Sequence, residues 1–165
     1  MLGIDPGTAI CGFAVVRAGK DQRAALVECG VIRTSAADEL PARLLSISEA
    51  LDELVSRHHP DVAAIENVFH GRNARSALVL GHARGVAMLA AARHGVPVAE
   101  ITPAEVKRAI GGSGRATKPQ LALTVTRLLR LAAPPRPADA ADGVAIALAQ
   151  LVRIAPRTRF AGAAR

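Results

Sequence analysis

Apolar and polar positions follow two rhythms along the chain. The first is short and strand-like. Met1-Leu2-Gly3-Ile4 is an apolar run closed by Asp5-Pro6-Gly7, and Cys11 to Val16 is a second run. Runs of this length punctuated by Pro and Gly read as strands. Polar Lys20-Asp21-Gln22-Arg23 makes a turn, and Ala25 to Thr34 returns as a partner, so the first three strands form a meander. The second rhythm is helical. Leu40, Leu44, Ile47, Leu51 and Leu54 recur at 4-3-4-3 spacing, one stripe of an amphipathic helix. Asp38 is expected to cap that helix, with Pro41 in its first turn and His58-His59-Pro60 at its end.

The two rhythms then alternate. Val62 to Ile65 is a short buried strand ended by Glu66, and a polar loop follows to Arg72. Asn73 is expected to cap a long helix reaching about His94, and Val96 to Ile101 is the next strand. Thr102-Pro103-Ala104-Glu105 and Thr117-Lys118-Pro119-Gln120 both carry the capping-box pattern with Pro at the first helical position. Gly111-Gly112-Ser113-Gly114 separates those two helices. In the second, Leu121, Val125 and Leu128 form the inner stripe. Pro134, Pro135 and Pro137 form a connector, and a last helix runs from Ala138 to Ile154. The order predicts an α/β fold, a five-stranded mixed sheet with helices on both faces. Residues 1–154 read as one domain. Residues 155–165 read as a basic tail expected to be disordered.

Composition adds a partner class. The formal net charge is +7, and a basic domain of this size points to a polyanion, most often nucleic acid. Cys11 and Cys29 match no metal-binding spacing and read as reduced thiols of a cytosolic protein. No apolar run is long enough for a membrane span and no secretory signal is visible, so the expected location is cytoplasmic.

The candidate chemistry is acidic. Asp5 leaves one predicted strand and Glu66 ends another. If these strands are parallel neighbours, both carboxylates emerge at one carboxyl edge, where such sheets place their sites. Asp139 and Asp142 are three apart and share a helix face. Four carboxylates converging at one point repel one another unless a hard cation intervenes, and oxygen-only ligation suits Mg²⁺ or Mn²⁺. Two such ions can clamp the attacking and leaving oxygens of a phosphodiester displacement.

Leu2-Gly3-Ile4-Asp5-Pro6-Gly7, Ala64-Ile65-Glu66-Asn67-Val68-Phe69, Ser76-Ala77-Leu78, Ala83-Arg84-Gly85 and Ala138-Asp139-Ala140-Ala141-Asp142 together resemble the RuvC family of crossover junction endodeoxyribonucleases. Gly112, Gly114, Ala116, Lys118 and Gln120 fall on the same family's glycine-rich segment. The resemblance covers Met1 to about Ile154, in order and spacing. It implies a ribonuclease-H-like fold, a homodimer and Mg²⁺-dependent symmetric nicking of Holliday junctions, with two ions per site and Mn²⁺ able to substitute. It implies ligatable 5′-phosphate and 3′-hydroxyl ends, a role in homologous recombination and DNA repair, and the RuvA and RuvB branch-migration proteins as partners. It makes Asp5, Glu66, Asp139 and Asp142 the catalytic metal ligands.

Further expectations attach to other stretches. Phe69, three residues past Glu66 in the polar loop, is expected to stack on an unpaired base at the crossover. Lys107 and Lys118 are expected to contact backbone phosphates. Gly81 and Gly85, four apart on the long helix, would let another helix approach closely, and the resemblance favours a two-fold dimer contact there. Two rivals remain open at this point. Gly3, Asp5, Gly7 and Thr8 also fit the opening of actin-like sugar kinases and ATPases, although those enzymes need two such domains. The other rival is a catalytically inactive nuclease-fold DNA-binding module, which should have lost at least one of the four acids.

Overall fold

In the computed structural model, residues 1–19, 23–67 and 74–154 are described. The sheet contains β1 (Leu2–Asp5), β2 (Ile10–Ala18), β3 (Ala24–Arg33), β4 (Ala63–Glu66) and β5 (Val98–Ile101). Its order is β3-β2-β1-β4-β5. β1 pairs antiparallel with β2 and parallel with β4, so the sheet is mixed, as the pattern predicts. Cys11 lies opposite Ile32, Cys29 lies opposite Ala14, and both thiols are free.

Among the described residues, five helices cover the sheet: α1 (Leu40–His58), α2 (Ala74–Arg93), α3 (Pro103–Gly111), α4 (Lys118–Leu128) and α5 (Ala138–Ile154). Strand side chains alternate between faces, and this divides the core. Leu2, Ile4, Phe13, Val15 and Ile65 pack with Ile47, Leu51, Leu54 and Ala87 of α1 and α2. Ala14, Val16 and Ala64 pack on the other face with Val106, Val125, Val144 and Leu148 of α3, α4 and α5. Among the described residues, no helix is long and apolar enough to cross a membrane.

α5 is the most deeply embedded helix. It lies so close to β1 and β2 that glycine is required where they touch. A Cβ on Gly12 would stand 2.0 Å from the carbonyl oxygen of Asp139, and one on Gly143 would stand 2.8 Å from the carbonyl carbon of Phe13. Both obstacles are backbone, which cannot swing aside.

Two boundaries differ from the sequence expectation. Asp38 does not cap α1. Its amide closes a turn on the Ser35 carbonyl, and Glu39 takes the N-cap position without a side-chain bond. The strand expected from Val96 begins at Val98, because Gly95 (φ 66°) ends α2 in a left-handed cap. Gly95 and Val96 donate their amides back to Ala92 and Ala91, the paired bonds of a Schellman motif. Asn73, expected to cap α2, lies outside the described residues, as do the tail and Phe69. The two capping boxes form as predicted at Thr102 and Thr117.

Candidate active site

The alternation that builds the core also aims the acids. Asp5 shares its β1 face with Gly3, and Glu66 shares its β4 face with Ala64; this is the face that α5 covers. Ile4 pairs in parallel with Ile65, so Asp5 and Glu66 leave adjacent strands at one carboxyl edge. The first turns of α5 pass over that edge, with Asp139 held against Gly12 of β2. Four carboxylates from β1, β4 and α5 thus face one region.

Electrostatics register the crowding. Burial, followed by the charges of Glu66, Asp142 and Asp139, pushes the Asp5 carboxyl up to about 7. Glu66 is also raised, by burial and then by Asp142, and it shares a hydrogen bond with Asp5. A proton held between two carboxylates is the usual relief for such repulsion. A second relief is local. Lys118 places Nζ 2.8 Å from Asp142 Oδ2, and this bond holds its ammonium above the usual range. Lys107 also faces the cluster, where its charge favours ionised Glu66.

As placed, no three Asp, Glu, His or Cys side chains among the described residues close around one cation position. That spacing suits four like charges with one ammonium and one proton among them. The donor set is nonetheless all oxygen, anionic and short of positive charge. Such a set fits a hard divalent cation and not a soft one.

Surrounding groups fix the strands that carry the acids. The turn after Asp5 is clamped by Arg43 of α1. Its Nε donates to the Thr8 carbonyl at 3.1 Å and to Thr34 Oγ1 at 3.1 Å, and Nη2 donates to Thr8 Oγ1 at 3.1 Å. Thr34 Oγ1 donates to the same carbonyl at 2.5 Å. Beyond Glu66, the amide of Asn67 donates to the Ile101 carbonyl, and its side chain donates to Glu100 at 2.6 Å. Arg84 of α2 holds the same Glu100 carboxylate at 2.6 Å. Sequence reading missed both clamps, since no local pattern links Arg43 to Thr8 or Glu100 to Asn67.

Gly81 and Gly85 do not pack on the sheet. A Cβ at either would meet nothing within 4 Å. With exposed Leu78 and Leu89 they form one stripe on the outer side of α2.

Comparison with known proteins follows this geometry closely. Residues 1–150 match the family model described as crossover junction endodeoxyribonuclease RuvC. A protein of that description from Salinispora arenicola is 49% identical over 164 residues, covering 99% of this chain and 94% of its own. One from Parafrankia sp. is 50% identical over 153 residues, 93% of this chain and 86% of its own. A solved structure of Thermus thermophilus RuvC in complex with a Holliday junction substrate superposes with a TM-score of 0.87 at 36% identity, covering 92% of each chain. The yeast mitochondrial resolvase Ydc2 shares the fold, with a TM-score of 0.67 at 13% identity over 92% of this chain and 77% of its own.

Proposed function

We propose, for a chain that belongs to the RuvC family of crossover junction endodeoxyribonucleases, that it resolves Holliday junctions by nicking two strands symmetrically at the acidic edge of its sheet. One observation carries this reading: carboxylates from β1, β4 and α5 face one region, where burial and then the neighbouring charges push Asp5 up to about 7. An inactive binding module would have no use for that electrostatic load. Asp5, Glu66, Asp139 and Asp142 would hold two Mg²⁺ ions, with Mn²⁺ as a substitute. Metal bound there supplies an activated water and charge for the leaving oxygen.

The chain's own groups do the rest. Attack by water at phosphorus breaks the bond to the 3′ oxygen and leaves 5′-phosphate and 3′-hydroxyl ends. Lys107 and Lys118 hold phosphate oxygens beside the acids, and the helix N-terminus at Thr117 adds amide donors. Phe69, close in sequence to Glu66, stacks on a base opened at the crossover. Residues 1–154 act as the nuclease domain and the basic tail as an appendage. The same membership supports cytoplasmic action in recombination and repair, with the RuvA and RuvB proteins as partners.

The direct test is a synthetic four-way junction incubated with and without Mg²⁺, followed by nick mapping. The expected result is a pair of symmetric, ligatable nicks only with the metal. Binding without nicking under every divalent ion would favour the inactive module.

Two variant tests belong here. Lys107→Ala and Lys118→Ala should weaken binding to every junction sequence alike, each flattening the salt dependence by about one counterion. An unchanged slope would make them ordinary solvated lysines. Two coordinated nicks also need two sites related by a two-fold axis. The open stripe of Leu78, Gly81, Gly85 and Leu89 is suited to that axis, so replacing both glycines by Leu should give monomers in sedimentation and uncoupled single nicks. A stable dimer with intact resolution would move the axis elsewhere.

A further inference from the structure

Beside the acids lies a cleft of about 760 Å³ that sequence reading treated as a mere connector. One wall is α4, with Lys118, Ala122 and Val125. The other is α5, with Ala141, Asp142 and Ala145, and Pro134 to Pro137 form the end. Its size lies within the range of about 300–1,000 Å³ typical of ligand sites. Its walls are mostly proline rings and alanine methyls. Its polar groups are few and informative. Asp142 and Lys118 belong at once to the cleft and to the acidic centre. Arg136 is exposed at the cleft and has no carboxylate partner among the described residues.

We infer that this cleft receives a nucleotide of the cut strand immediately beside the scissile phosphate. The inference rests on the proposed junction cleavage and deepens it by naming a subsite. Three features select this occupant. The cleft opens directly from the acidic centre, so a strand whose phosphate lies at the acids has its next nucleotide at the mouth. The uncommitted cation is Arg136, in the proline segment at the far end of the cleft, which fits a further phosphate of the strand and not a neutral peptide. The walls are mostly apolar, suiting the faces of an unstacked base and reading little of its hydrogen-bonding edge.

The test uses the full chain and synthetic junctions carrying one abasic residue at each position flanking the mapped nick. For the wild-type protein, one flanking abasic position should slow single-turnover cleavage by about tenfold, the scale of one stacked base, with the rest near normal. Ala122→Phe, which fills the cleft, should slow the intact junction by a similar factor and make that abasic position cost nothing further. Arg136→Gln is exposed and tests the cleft without threatening the fold. It should lower the salt dependence of binding by about one counterion. Equal cleavage of all abasic junctions by the wild-type protein would overturn the subsite while leaving junction cleavage intact. So would an Ala122→Phe variant that cuts normally, as expected if the cleft instead takes a protein segment. Failure of the wild-type protein to cut any junction would instead overturn the parent reading.

Discussion

Junction cleavage by an Asp5→Asn variant should fall by more than about 100-fold while junction binding is kept. Changes to groups that only support a metal's ligands already cost about 10–100-fold, and Asp5 is proposed as a direct ligand. Binding is proposed to rest on Lys107, Lys118 and the rest of the basic surface, which the change leaves alone. The same variant makes an opposite prediction for stability. Burial and the neighbouring acids hold the folded-state Asp5 carboxyl at about 7, against an ordinary value of 3.8. A raised carboxyl means the folded protein binds the proton more tightly than the unfolded chain. Its stabilising contribution is therefore fully present below about pH 4 and is lost as pH rises through about 7. The span corresponds to something on the order of 4 kcal/mol. Asparagine cannot ionise, so the metal-free variant should melt higher than wild type at pH 8 and show a flatter stability profile from pH 4 to 8. Added Mg²⁺ should raise the wild-type midpoint more than the variant's. Equal pH profiles, or wild-type nicking by the variant, would remove Asp5 from the centre.

Gly12→Ala should be nearly as damaging to cleavage through a wholly different route. The added methyl group would meet the Asp139 carbonyl oxygen at 2.0 Å, so the first turn of α5 must move away from β2. A misplacement of about 1 Å at a catalytic group can cost about 100-fold in rate, and a loss of that order is expected here. Overpacking of this kind costs about 1–3 kcal/mol, so the protein should still fold and bind junctions. A fully active, equally stable Gly12→Ala protein would show that α5 can shift without disturbing Asp139 and Asp142.

Much of this arrangement was legible from sequence. Asp5 and Glu66 stood at the ends of short apolar runs, and strand periodicity alone says that such residues leave a sheet edge. Thr102 and Thr117 announced their helices because a capping box is a local device, complete within four residues. The failures are equally instructive. Asp38 has the chemistry of a cap, but it lies in the turn that closes on Ser35 and the helix begins one residue later, with Glu39 at the N-cap. Arg43 looked like any helix-surface arginine, because its partners Thr8 and Thr34 are distant in sequence. The cleft was invisible for the same reason: its walls are separate helices, and only their packing leaves space between them. Gly12 and Gly143 carry no signal of their own in the sequence. Their role is closeness, which appears only once α5 lies on the sheet.

The acids come from β1, β4 and α5, and α5 is the last of these to be made. Domains emerge from the ribosome N-terminus first, at about 5–20 residues per second. A nascent chain that has delivered everything through α4 owns Asp5 and Glu66 but lacks the other two carboxylates. It also leaves Gly3, Ala14 and Val16 without the helix that covers them. Such a chain holds only half of the acidic cluster. On the proposed assignment of the four acids, cutting therefore waits for α5 to be made and to dock on the sheet.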